Sequence, residues 1–193
     1  VFAPFRADVL SPPALVLDGV SRHFGGLRAV DDVSLRIALG ERRALIGPNG
    51  AGKTTLFNLI TGDLHPTRGI VTINGVDCTT APSRRRAGLG VSRTYQRTRL
   101  FLGLTVVDNL QLAWIGKHGS HRSLSRRGLQ GAGREAARQA AAAVWLGDRL
   151  DTVVGDLSHG QQRQLEVGMV VVTDPELMML DEPFTGMNPE ETR

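Results

Sequence analysis

Eight consecutive residues restrict this chain more than any others. Gly47-Pro48-Asn49-Gly50-Ala51-Gly52-Lys53-Thr54 fit the pattern G-x-x-x-x-G-K-[S/T]. Residues 43–47 form a short apolar run without alternation, as expected of a strand buried on both faces. Residues 53–61 place Leu56, Leu59 and Ile60 on one helical face. A glycine loop between strand and helix is suited to phosphate. Glycines let backbone N–H groups approach the oxygens closely, and the opening turn of the helix adds unpaired N–H groups and a positive dipole end. Lys53 then supplies charge to the β- and γ-phosphates. The Thr54 hydroxyl is placed for Mg²⁺, and Thr55 for the α-phosphate.

The rest of the composition fits a globular chain of one ordinary domain. Of 193 residues, 41% are hydrophobic and 22% charged, which excludes disordered and fibrous classes. The single cysteine, Cys78, excludes an intramolecular disulfide framework and fits a reducing compartment. The net charge of +4 is carried almost wholly by arginine, since Lys53 and Lys117 are the only lysines. Arginine never deprotonates, so this balance requires no nucleic-acid partner. No apolar run approaches the ~18 residues a membrane span requires. The N-terminal residues lack the ordered regions of a signal peptide. A cytoplasmic protein that meets the membrane only through partners is expected.

Residues 1–13 read as a disordered tail ending at Pro12-Pro13, and residues 14–193 as the nucleotide-binding domain. Within it, residues 14–20 and 28–37 alternate apolar and polar side chains as half-exposed strands do, with Gly25-Gly26 as the turn. Residues 69–74 read as a further strand turning at Asn74-Gly75. The pattern then becomes helical: residues 105–115 and the alanine-rich 135–146 flank a polar, arginine-rich loop, and a block of about 100–157 looks inserted into an otherwise α/β chain. Ser158 can cap a helix running to about Val172, and residues 177–180 read as a buried strand.

That strand ends in Asp181-Glu182, and the carboxyl ends of strands are where open α/β sheets bind ligands. Neighbouring strand residues point to opposite sides, so the two acids take different roles. Asp181 suits Mg²⁺ and Glu182 suits activating a water in line with the γ-phosphate.

Between the two motifs lies Leu157-Ser158-His159-Gly160-Gln161-Gln162. This order of motifs resembles the ATP-binding subunits of ABC transporters, in which an L-S-G-G-Q signature precedes the acidic strand. The resemblance runs from about Leu15 to the last residue. Gln96, closing VSRTYQ (91–96), matches the Q-loop glutamine; Phe24 matches the aromatic that stacks on adenine; FTGMNP (184–189) occupies the D-loop. FGGLRAV (24–30), LFNLITG (56–62), RTYQRTRLF (93–101), LTVVDNL (104–110) and LSHGQQRQLEVG (157–168) are most similar to the branched-chain amino acid importer type.

The resemblance implies a P-loop, RecA-like α/β core with an N-terminal antiparallel β region and an inserted helical subdomain. It also implies hydrolysis of ATP, with Mg²⁺, to power import of a small polar solute, most closely branched-chain amino acids. Glu182, Lys53 and Gln96 would be catalytic. Phe24, Gly47, Pro48, Asn49, Gly50, Ala51, Gly52, Lys53, Thr54 and Thr55 would hold the nucleotide from one subunit, and Ser158, Gly160 and Gln161 would close over it from another. Thr54, Gln96 and Asp181 would be the Mg²⁺ positions. The implied partners are a second ATPase subunit, identical or not, transmembrane permeases and, indirectly, an external solute-binding protein; no nucleic acid is implied. The implied location is peripheral, on the cytoplasmic face of the inner membrane.

Two features depart from the family pattern. His159 stands where glycine is usual, and no histidine follows it, although family members carry a switch histidine beyond the D-loop. A fragment of a longer cassette is expected on that basis. A non-catalytic ATP-sensing module and a soluble ABC ATPase acting on nucleic acid remain as alternatives. The arginine-rich stretches read as solvated faces, His118 and His121 lack companion zinc ligands, and Trp114 and Trp145 read as packing residues of the helical block.

Overall fold

The computed structural model describes residues 12–94, 100–118 and 131–181. The chain divides into two compact units, Val1–Val91 and Ser92–Arg193.

In the first unit, strands β1 (Leu15–Phe24) and β2 (Leu27–Ile37) form an antiparallel hairpin closed at Gly25-Gly26. Strand β3 (Arg68–Ile73) pairs antiparallel with the other edge of β1, and the short β4 (Val76–Asp77) pairs with β3, giving the order β2-β1-β3-β4. Between β3 and β4, Asn74 (φ 49°) and Gly75 (φ 77°) both sit in the left-handed region, as tight hairpin turns require. Alternation delivers Leu15, Leu17, Val71 and Ile73 to the core, where all are buried. Helix α1 (Lys53–Thr61) adds Leu56, Leu59 and Ile60, the apolar face its sequence spacing predicts.

A buried cation secures the far end of α1. Arg86, on the short helix α2 (Ser83–Gly88), is fully buried. Its guanidinium donates to the carbonyls of Leu59 and Ile60 in the last turn of α1, and to Ala81 and Thr79. A cation suits the negative end of a helix dipole, and these carbonyls lack intrahelical donors. Gly62 (φ 81°) ends α1 because a Cβ there would lie 2.8 Å from Arg86 Nε and 2.9 Å from the Ala81 carbonyl.

The second unit is largely helical. Helices α3 (Val106–His118), α4 (Ala132–Ala143) and α5 (His159–Val171) enclose a core of Val106, Leu110, Ala137, Ala141, Leu146, Val154, Leu157 and Leu165. Small residues set the spacing: a Cβ on Gly168 of α5 would meet Val144 at 3.1 Å and Leu110 at 3.2 Å. Strand β5 (Val91–Arg93) pairs with β6 (Leu177–Met179). Asn109 is buried in α3, where its side chain accepts from the Phe101 N–H (2.9 Å) and donates to the carbonyls of Phe101 and Thr105 (3.1 and 3.0 Å). It thereby satisfies the backbone of a turn whose side chains face outward.

Three sequence expectations are corrected. Residues 43–47 are not a buried strand: they pair with no strand among the described residues, and Ile46 is 90% exposed. An apolar run supplies the side chains of a buried strand but not the hydrogen-bonding neighbours that define one. Strand β6 is not buried on both faces, because Met178 is exposed between buried Leu177 and Met179. Trp114 does pack against the helical core, but Trp145 is 79% exposed at φ 59°. It is the left-handed residue ending α4. Its N–H reaches the Ala142 carbonyl (3.2 Å), the Leu146 N–H reaches that of Ala141 (2.8 Å), and Leu146, not Trp145, turns into the core.

Candidate nucleotide site

The glycine loop is built as its sequence predicts at the backbone level. Gly50 and Gly52 adopt φ of 82° and 84°, and the Ala51 N–H donates back to the Pro48 carbonyl (3.2 Å). Gly52 is the N-cap of α1 and makes no side-chain cap, so the first-turn N–H groups have no capping side chain among the described residues. The first intrahelical bond runs from the Leu56 N–H to the Gly52 carbonyl (2.8 Å). Lys53 Nζ folds over the loop and donates to the carbonyls of Gly47 (2.6 Å) and Pro48 (2.9 Å), which holds a positive charge above the open amides. Thr54 is exposed and Thr55 half-buried at the same turn. Together these groups can receive a polyphosphate through backbone donors, a cation and a hydroxyl.

The loop abuts the β1–β2 hairpin. A Cβ at Gly52 would stand 2.2 Å from the Ala29 carbonyl, and Val30 beside it pairs with Arg22 on β1. Two residues along β1, Phe24 closes the hairpin opposite Leu27 and is 43% exposed. The aromatic expected to take a base and the loop expected to take phosphates therefore belong to one unit, joined through β2.

In the second unit, Ser158 caps α5 by a reciprocal capping box. Its Oγ accepts from the Gln161 N–H (3.2 Å), and Gln161 Oε1 accepts from the Ser158 N–H (3.0 Å). Ser158 and His159 are exposed, Gly160 is buried and Gln161 is half-buried. The Ser158 hydroxyl proton and the first-turn N–H of His159 are the outward donors of this helix end.

Asp181 follows β6 and is buried. Its carboxylate accepts from Arg93 Nη2 (2.9 Å), its N–H donates to Thr94 Oγ1 (3.0 Å), and its carbonyl accepts from Arg163 Nη2 (2.7 Å). Arg163 is itself paired with Glu166 within α5. Sequence reasoning missed these roles of Arg93, Thr94 and Arg163. Only the pairing of β5 with β6 brings residues 93 and 181 together, and no local pattern announces it. Gln96 and Glu182 lie outside the described residues.

The oxygen donors Thr54 and Asp181 are of the type Mg²⁺ takes, and among the described residues no three His, Cys, Asp or Glu side chains cluster as a metal site. Thr54 belongs to the first unit and Asp181 to the second, where its carboxylate is engaged by Arg93.

Backbone amides, a lysine and a helix without a side-chain cap, joined to an aromatic-ended hairpin, are the build of a P-loop nucleotide-binding protein. Residues 30–185 match the family model described as ABC transporter. The chain is 40% identical to the high-affinity branched-chain amino acid transport ATP-binding proteins LivG of Salmonella typhimurium and BraF of Pseudomonas aeruginosa, covering 95% of this chain and 74% of each relative. A nucleotide-free ATP-binding cassette from an ABC transporter superposes with a TM-score of 0.79 at 29% identity, covering 94% of this chain and 73% of that one. The ADP conformation of an ATP-binding cassette of an ABC transporter gives a TM-score of 0.80 at the same identity. This chain belongs to the ABC transporter family, as one of its ATP-binding ATPase subunits.

Proposed function

We propose that this subunit hydrolyses ATP to drive import of branched-chain amino acids or a closely similar small polar solute. The observation carrying this reading is the 40% identity to LivG and BraF along 95% of the chain, glycine loop and capped signature helix included. In this reading Lys53 leaves the Gly47 and Pro48 carbonyls for the β- and γ-phosphates, and the first-turn amides of α1 take the remaining oxygens. Thr55 donates to the α-phosphate and Phe24 stacks on adenine. Thr54, Asp181 and Gln96 would be the Mg²⁺ positions, and the ion would neutralise phosphate charge. Glu182 draws the proton from the attacking water.

Two copies, or this chain and a related one, would bring the Ser158 helix end of each onto the nucleotide of the other, with Gly160 and Gln161 supporting that turn. A positive helix end with a free hydroxyl donor is suited to a γ-phosphate. The turn held by Asn109 exposes Phe101 and Leu102, which supports docking of a permease segment there. In the described residues no helix is long and apolar enough to cross a membrane. Attachment to the cytoplasmic face of the inner membrane would then run through permeases, with a solute-binding protein outside.

The test is reconstitution with the cognate permeases in liposomes containing ATP. Uptake of labelled leucine that stops with Lys53→Ala is expected. ATP turnover without uptake of any branched-chain amino acid would overturn the solute assignment.

A further inference from the structure

Phe24 does not stand alone at the end of its hairpin. Arg22, two residues earlier on β1, places its guanidinium carbon 4.7 Å from the centre of the Phe24 ring. Residues two apart share a face of a strand, so the two side chains are neighbours by construction. The guanidinium is anchored from behind: Nη1 donates to the His65 carbonyl (2.9 Å), in the segment that follows the glycine-loop helix. That segment is tied to β1 again by the His23 N–H to Thr67 Oγ1 (3.1 Å) and the Thr67 N–H to the Ser21 carbonyl (2.7 Å). The Arg22 Nε is buried and makes no hydrogen bond among the described residues. The aromatic face is then the electron-rich surface available to this cation.

These contacts have two consequences for the ring. One face is occupied by a cation, so a planar ligand can stack on the opposite face only. A cation also draws π-density toward itself, which lowers repulsion between the free face and an electron-rich purine. We propose that Arg22 is a positioning residue for nucleobase recognition, fixing the Phe24 ring and leaving one polarised face for the base. The proposal rests on the reading of Phe24 as the base-stacking residue.

The test uses calorimetric titration of the full chain with ATP and, separately, with inorganic triphosphate, which has no base. Arg22→Gln is expected to weaken ATP binding about threefold to tenfold while leaving triphosphate affinity unchanged. Arg22→Lys, which keeps a cation near the ring, recovers part of the loss and covers the case in which the glutamine variant folds poorly. In a Phe24→Ala background the Arg22→Gln effect disappears, because no ring remains to be positioned. Equal weakening toward ATP and triphosphate, or an undiminished Arg22→Gln effect in the Phe24→Ala background, would overturn the role of Arg22. If Phe24→Ala alone leaves ATP affinity unchanged, base stacking by Phe24 fails first and the role of Arg22 falls with it.

Discussion

Arg93 Nη2 lies 2.9 Å from Asp181 Oδ2, and both side chains are almost fully buried. The acid expected to serve Mg²⁺ is therefore held by a guanidinium carried on the neighbouring strand. Removing Arg93 leaves the Asp181 carboxylate without this guanidinium in a site that water barely reaches, which is the costly way to break such a pair. Arg93→Gln is expected to lower unfolding free energy by about 3 kcal/mol, and Asp181→Asn by less, since Arg93 keeps a further interaction. The double variant should cost clearly less than the sum, read from urea unfolding midpoints. Additive losses would show that the pair is not an energetic unit.

Gly52 and Gly50 share a left-handed backbone but differ in surroundings. An added Cβ at Gly50 meets nothing within 4 Å among the described residues, whereas at Gly52 it would press on the Ala29 carbonyl at 2.2 Å. Gly50→Ala should cost only backbone strain, about 1 kcal/mol. Gly52→Ala must also push the loop off the β1–β2 hairpin, and ATP affinity should fall at least 100-fold by equilibrium titration. Comparable losses in the two variants would contradict this geometry.

Ser158 combines a cap and an outward hydroxyl, and these can be separated. Ser158→Ala should lose about 1 kcal/mol of stability together with ATP turnover. Ser158→Asp keeps a capping oxygen for the Gln161 N–H but sets a negative charge where the other subunit's γ-phosphate is proposed to sit. Its thermal midpoint should remain near that of the parent while turnover collapses. Retained turnover in the aspartate variant would remove Ser158 from the nucleotide site.

Cys78 is buried, with Sγ against the Val71 carbonyl (3.3 Å), and burial raises its thiol pKa even though Arg86 nearby opposes the shift. A raised folded-state pKa means the native protein keeps the thiol proton longer than the unfolded chain. The stabilisation is complete below the unfolded pKa of about 8.5 and is lost as pH rises through the folded value. Stability should decline above about pH 9, and Cys78→Ala should flatten that decline. An aromatic disulfide reagent at pH 8 should label the native thiol slowly and the urea-unfolded thiol at once. Fast native labelling would show the site to be open.

The parts of the fold most legible in the sequence were those encoded locally. Gly50, Gly52 and Lys53 carry their own backbone requirements, and Ser158 with Gln161 forms its capping box within four consecutive residues. Asn74-Gly75 specifies a turn by permitting positive φ at both positions. Leu56, Leu59 and Ile60 mark the buried face of α1 by spacing alone. In each case the physical cause acts over a few bonds, so a linear pattern contains it.

Long-range pairing decided the rest. Residues 43–47 have the side chains of a buried strand and lie exposed, because a strand exists only where another donates and accepts its hydrogen bonds. Trp145 looked like core and became the exposed left-handed end of α4, since Leu146 was the residue the helical core could accept. Arg86 capping helix carbonyls 26 and 27 residues before it, Arg93 meeting Asp181, and Arg22 meeting the His65 carbonyl all involve a cation finding oxygen atoms far along the chain. The sequence by itself determined the backbone of the glycine loop, the capping box of α5 and the family. Only the tertiary structure decided which arginines hold them, because a charge is placed by the partners that packing brings to it.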